Sequence, residues 1–357
     1  MHQTGWTKVL ASLIDEWRQI VALEDIEMIV LAGDIGGTKT MLQLSRVTEA
    51  GMDVLYEKRY ASADYGDFLS LVSNFVEESD ALTGARASKA CFGVAGPVSG
   101  RKAKTTNLPW NLDTDALESV LGINNIRLIN DFQSIGYGVE ALKDEDMVTL
   151  QHGAEVPNST RVIIGAGTGL GQGFLVWQEN HYEVVASEGG HSNLAPTDDL
   201  QIELLKYLQE RYGWATWERA VSGPGLVNIF EFLVARKDAK LSLPLIDALK
   251  DSDHAAVISR FGMANSDLTA VKALEVFVTL YGAQAGNIAL IGLATGGVYI
   301  AGGVAPKIID KLKDGLFIDA FNNKDQRMQP LLKAMPVRVI MNQNVGLLGS
   351  AVAASRL

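Results

Sequence analysis

Two stretches of this 357-residue chain share one grammar. "IVLAGDIGGTKTMLQL" starts at Ile29, and "RVIIGAGTGLGQGFLV" starts at Arg161, roughly 130 residues later. In each, an apolar strand runs into a glycine-rich turn that carries a threonine, and a second strand resumes at once. A repeat at that spacing constrains the fold more than any single element does. It points to two related lobes, each with its own glycine hairpin, that face one ligand.

The patterning between the copies is mixed. Strand-like runs recur at 29–33, 41–46, 53–60, 89–95, 126–130, 161–165, 173–177, 182–187, 298–302 and 337–341. Helical spacing of apolar residues fills 66–79, 114–121, 198–212, 224–236, 268–292 and 346–356. This combination predicts an α/β fold with mixed sheets flanked by helices. The length suits two domains or two lobes of one.

A net charge of −11 argues against a broad nucleic-acid or anionic-membrane surface, which needs clustered cations. The compact basic group Arg101, Lys102 and Lys104 reads as a solvated loop. One cysteine, Cys91, leaves no internal disulfide and no cysteine zinc cage, and its flanks Ala90 and Phe92 place it in a buried strand. A cytoplasmic chain is expected. Residues 1–27 space Trp6, Leu10, Leu13, Ile14 and Trp17 as an amphipathic helix. Asp15, Glu16 and Arg18 interrupt it, so it lacks the apolar core of a signal peptide, and Met28 offers an alternative start. "IALIGLATGGVYIAGGVAP", 288–306, is uncharged over 19 residues, the length of a membrane span. Its five glycines fit a buried helix end, a glycine turn and a buried strand better.

The first glycine hairpin comprises Gly33, Asp34, Ile35, Gly36, Gly37, Thr38 and Lys39. It is neither a P-loop nor a dinucleotide fingerprint, because no helix follows the glycines. Glycines at a tight strand–strand turn let backbone N–H groups approach a phosphate closely. Asp34 would repel that phosphate unless a cation stands between, which points to Mg²⁺ held through water. Taken alone, the stretch is equally readable as a plain Asp-Gly hairpin. The second hairpin, Gly165 to Gly173, tips the balance: five glycines in nine residues cost roughly 0.5–1 kcal/mol each relative to alanine. Gly165, Gly167 and Gly169 flank Thr168, a hydroxyl donor. Gly302–Gly303 ends a further strand and suits the flat face of an adenine or ribose.

Three further short segments carry polar residues beside strand ends or glycine turns. "LINDFQS" sets Asn130 and Asp131 directly after an apolar strand, where Asp131 is either a general base or a helix N-cap. "SEGGHSNLAP" presents Glu188 and His191 around a glycine turn, suited to hydrogen-bonding neighbouring hydroxyls; a metal site is a minor option there. "WERAVSGPG" adds Glu218, site acid or solvated charge, with Ser222 capping the helix that follows.

The ordered set "GDIGGTKTMLQL", "GVAGPVSG", "TNLPWNLD", "INDF", "GAGTGLGQG", "EGGHSNLAP", "ERAVSGPGLVNI", "GGVYIAGGVAP" and "NVGLLGSAVA" resembles the bacterial glucokinases of the hexokinase/actin-like ATPase superfamily. The resemblance covers residues 28 to 356. It implies a two-lobed actin-like (ribonuclease H-like) ATPase fold with an active-site cleft between lobes: 28–141 plus 343–357 as the small lobe and 142–342 as the large one, after the 1–27 extension. It implies ATP-dependent phosphorylation of D-glucose to glucose 6-phosphate, feeding glycolysis, with Mg²⁺ and a homodimer, and no nucleic-acid or membrane partner. Residue by residue, Asp131 matches the catalytic base, and Asn130, Asp131, Glu188, His191 and Glu218 match the sugar contacts. The two hairpins match the phosphate motifs, Gly302–Gly303 the adenosine motif, and Asp34 the acid that faces Mg²⁺. A related family of sugar kinases and repressors has a cysteine-rich zinc motif, which a chain with one cysteine cannot supply. Lys39 stands where asparagine is also common, so its own role, at phosphate or solvent, is open.

Overall fold

The computed structural model describes residues 27–48, 51–236, 240–250 and 253–357, so the helix expected over 1–27 lies outside the described residues save for its last position. The chain divides into two compact units, one ending at Asp131 and resuming at Ser350, the other running from Phe132 to Gly349.

The first unit is built on a five-stranded sheet of order β3-β2-β1-β4-β8, where β1 is Met28–Ile35, β2 Lys39–Thr48, β3 Gly51–Ala61, β4 Lys89–Val94 and β8 Asn125–Asn130. The apolar run Val30–Leu31–Ala32 is central and fully buried, as a strand covered on both faces must be. β1 pairs antiparallel with β2 and parallel with β4. Helix α1, Phe68–Thr83, is capped by the Asp67 carboxylate and stopped by Gly84 in the left-handed region. It buries Phe68, Leu71, Val72 and Phe75, one stripe at helical spacing. Helix α2, Thr114–Leu121, repeats the Asp cap and glycine stop. Between β4 and α2 lies a small antiparallel sheet of β5 (Val98–Ser99), β6 (Lys102–Lys104) and β7 (Asn111–Asp113). Here Arg101 pairs with Asp115 and Glu118, and Lys102 with Asp113, so two of the three basic residues are matched by neighbouring carboxylates.

The second unit holds a six-stranded sheet of order β12-β11-β10-β13-β14-β9, with β9 at Met147–Gln151, β10 Arg161–Ala166, β11 Leu170–Gln178, β12 His181–Ser187, β13 Val298–Ala301 and β14 Val337–Ile340. β10 pairs antiparallel with β11 and parallel with β13. Five of its strands thus repeat the order and local directions of the first sheet, strand for strand. The repeat read from the two glycine hairpins is a repeat of topology.

Helix α3 is Asp131–Gly138, and α4 to α7 are Asp199–Tyr212, Gly223–Ala235, Leu243–Ala248 and His254–Met263. The long α8, Leu268–Gly292, is followed by the short α9 to α11 at Ile309–Leu312, Leu316–Asn322 and Gln329–Ala334 and by α12 at Val345–Ser355. Among the described helices α8 is the one long and apolar enough to cross a membrane, and most of its apolar window is packed inside the core. It ends at Leu293 in the left-handed region, Gly297 turns the chain at φ +118°, and β13 follows. This is the helix end, glycine turn and buried strand expected of the uncharged 19 residues.

Candidate active site

In the first unit, the turn between β1 and β2 is closed by Gly36 N–H donating to Lys39 O at 3.0 Å. Its two outward carbonyls are occupied by one residue: Ser62 Oγ donates to Gly36 O at 2.8 Å and Ser62 N–H to Thr38 O at 3.1 Å. Ser62 is fully buried and Thr40 Oγ1 lies 3.0 Å from its hydroxyl. This support was not signalled by any motif, because a lone serine after a strand has no distinguishing spacing. Gly33 is required by packing, since a Cβ would lie 2.7 Å from the Phe92 ring. Thr38 and Lys39 are exposed, and Asp34 is partly buried. Burial holds the Asp34 carboxyl above the usual carboxylate range, opposed by the Lys39 ammonium. The carboxylate has no hydrogen-bond or ion-pair partner among the described residues. A desolvated acid of this kind suits a nearby cation.

Asn130 ends β8, and its amide donates to Gly96 O at 3.3 Å. Asp131 follows as the first residue of α3. From Phe132 onward that helix is locked to the second sheet. Gln133 Nε2 donates to Val184 O at 3.3 Å, and the Tyr137 hydroxyl donates to Glu183 Oε2 at 2.6 Å.

In the second unit the glycines of the β10–β11 turn divide into two kinds. A Cβ on Gly165 or Gly171 would collide with the Phe132 ring, at 2.8 and 2.4 Å, so these two make room for the side chain next to Asp131. A Cβ on Gly169 would lie 2.5 Å from Glu218 Oε2. At Gly167 and Gly303, by contrast, a Cβ would meet no atom within 4 Å. Protein packing does not demand glycine there, and both residues line a cavity of ≈ 950 Å³. The cavity is floored by Thr168 and by Gly223 at the start of α5, and walled by Ala255, Ala256 and Met263 of α7 and by Val304 and Lys307. Gly223 N–H donates to Gly167 O at 2.8 Å, fixing the α5 N-terminus to the turn. Ser222 caps α5 as expected, accepting from Gly225 N–H at 3.0 Å. The α7 wall was missed in the sequence, although Asp253, which caps Ala255 and Ala256, marks its start.

Glu188, His191 and Glu218 converge. His191 Nε2 lies 3.8 Å from Glu188 Oε2, and His191 Nδ1 lies 3.8 Å from Glu218 Oε1. The other oxygen of Glu218 accepts from Leu170 N–H, in the glycine hairpin, at 3.0 Å. Glu218 N–H in turn donates to Gly190 O at 2.9 Å. Glu188 and His191 are exposed, while Glu218 is partly covered. Such an acid–imidazole–acid set, loosely spaced and open to solvent, can accept from and donate to the hydroxyls of a small polar molecule. The described residues contain no group of three or more His, Cys, Asp and Glu side chains placed to hold a metal ion by themselves.

A family model described as Glucokinase matches residues 31–357. The glucokinase of a Nostoc species is 44% identical over 343 residues, spanning 92% of this chain and 99% of that one. That of a Synechocystis species is 41% identical over 347 residues, spanning 91% and 98%. Among solved structures, a glucokinase from an Antarctic psychrotroph has a TM-score of 0.82 at 27% identity, covering 92% of this chain and 99% of that one. The glucokinase of Balamuthia mandrillaris in complex with glucose, 21% identical, is alike in fold, with a TM-score of 0.74 and coverage of 97% and 98%.

Proposed function

The chain belongs to the glucokinase family, and from that premise we infer that it transfers the γ-phosphoryl group of ATP to the 6-hydroxyl of D-glucose. The products are ADP and glucose 6-phosphate, the entry to glycolysis. The observation that carries this reading is the Glu218 carboxylate, which accepts from Leu170 N–H in the glycine hairpin and faces His191 with its other oxygen. A polyol-binding set and a phosphate-holding turn thereby share one side chain.

In this reading Asp131 accepts the proton of the attacking hydroxyl as a general base. Asn130, Glu188, His191 and Glu218 bond the remaining hydroxyls, so an analogue lacking one leaves them unpaired and is rejected. The turn at Gly36–Lys39 and the turn at Gly167–Gly169 each suit phosphate oxygens, which their remaining backbone N–H groups would bond, and the cavity beside Gly303 takes the adenosine. Catalysis is then mostly positioning and charge neutralisation. Mg²⁺ would supply the neutralisation when bound, and the desolvated Asp34 carboxyl, which has no hydrogen-bond or ion-pair partner among the described residues, is the group suited to face it. We place the enzyme in the cytoplasm as a homodimer, on the strength of the family resemblance.

The test is to identify the product. Phosphorus NMR of the chain with ATP and glucose should show ADP and a monoester at the sugar's 6-position in equal amounts. Inorganic phosphate in place of the ester would contradict the reading.

A further inference from the structure

Tyr281 sits in the middle of α8 and is wholly buried. Its hydroxyl does not close a bond within the helix. It accepts from Ala166 N–H at 3.1 Å, and the carbonyls of Ile164 and Ala301 each lie 3.4 Å away as acceptors for its one proton. Those three backbone groups lie at the ends of two neighbouring strands. Gly165 opposite Ala301 is the last rung of the β10–β13 ladder. Beyond it the two chains diverge, β10 into the glycine hairpin and β13 into Gly302–Gly303.

We propose that Tyr281 is a positioning residue for the nucleotide, its hydroxyl fixing the strand ends from which both nucleotide turns spring. This rests on the reading of those turns as the ATP site. Ala166 is held from both sides. Its N–H is bonded to Tyr281, and its carbonyl accepts from Val304 N–H at 3.1 Å. Gly302, at φ +83°, crosses so close to that carbonyl that a Cβ would lie 2.4 Å from it. The ring is aimed by edge contacts with Phe277, centroids 6.0 Å apart, and Phe317, 5.5 Å apart. Burial raises the phenol well above its ordinary range, so it stays a neutral donor and acceptor across the working pH. A residue needed only to fill this core would be phenylalanine, as Phe277 and Phe317 are. Burying a hydroxyl is offset here by the backbone groups it serves.

The test compares Tyr281→Phe with Thr168→Ala, which trims a side chain inside the turn. For Tyr281→Phe the KM for ATP and the dissociation constant for ADP should rise about five- to tenfold, the effect of losing roughly one hydrogen bond's worth of preorganisation. The KM for glucose should stay within about twofold, because Tyr281 holds Ala166 at the strand end whereas Glu218 bonds Leu170 N–H on the far side of the turn. Unchanged ATP and ADP constants, or losses for both substrates alike that follow a falling Tm, would overturn the proposal. If Tyr281→Phe does not fold, Phe317→Leu, which loosens the ring and keeps the hydroxyl, must show the same ATP-selective loss or the proposal fails. Thr168→Ala separates the two levels. If it weakens ATP while Tyr281→Phe does not, the role of Tyr281 alone is wrong. If neither touches ATP, the nucleotide assignment is wrong and the proposal falls with it.

Discussion

Asp131 stands at the junction of β8 and α3, where a strand end presents an acid without any helical turn before it. As the proposed general base, its replacement by asparagine should lower kcat by about 10²–10⁴, with the dissociation constant for glucose near its original value. Stopped-time assays and calorimetry measure the two. Glu218→Ala has a different signature, because it removes both a proposed sugar ligand and the acceptor of Leu170 N–H. The KM for glucose and the KM for ATP should both rise, by about tenfold or more, the scale of a lost charge-assisted hydrogen bond. Cys91 is expected to be inert: burial pushes its thiol up to about 12 from 9.0. Because the unfolded thiol ionises first, its contribution to stability is complete below pH 9.0 and drains away as pH rises toward about 12. Urea melts at neutral pH and near about pH 10 should therefore show the advantage over Cys91→Ala shrinking with pH. At this scale the sequence was informative about residue types and silent about partners. The glycines of "GAGTGLGQG" look alike in one dimension, yet Gly165 and Gly171 accommodate Phe132 whereas Gly167 faces the cavity.

Among elements, the ones with long periodic patterns are readable: α1, α2, α4, α5, α8, α12 and every strand of the two main sheets except β9. The ones that escaped are short. β5, β6 and β7 span two or three residues each, too few for an alternation to register. β9 is a half-buried edge strand that pairs only with β14, so its sequence carries no strong apolar signal. Helix α7, which walls the cavity, was passed over because its buried stripe is brief, Val257 and Ile258 with Gly262. Helix packing shows where short motifs have a structural purpose. "NVGLLGSAVA" brings Gly349 of α12 against α3 so closely that a Cβ would lie 1.6 Å from Ser134 O. Gly138 likewise meets Val345 O, where a Cβ would lie at 2.2 Å. Gly349→Ala must push the two helices apart and should cost about 1–3 kcal/mol, read as a fall in Tm of about 2–4 °C per kcal/mol.

For the whole molecule, the most telling feature is that two sheets repeat one strand order, β3-β2-β1-β4-β8 and β12-β11-β10-β13-β14, each with a glycine hairpin between its antiparallel pair. That is the actin-like ATPase architecture; the two matching hairpins point to two related lobes, and the family resemblance supplies the fold class. Fold of this kind does not choose between a phosphotransferase and a nucleotide-driven switch. The choice rests on the proposed sugar-binding set of Glu188, His191 and Glu218, and so on whether ATP turnover needs a sugar. The decisive measurement is the rate of ADP release with and without D-glucose in one coupled assay. The account predicts release that depends on glucose, saturates with it and matches glucose 6-phosphate mole for mole. ATP hydrolysis at the same rate whether or not a sugar is present would contradict it.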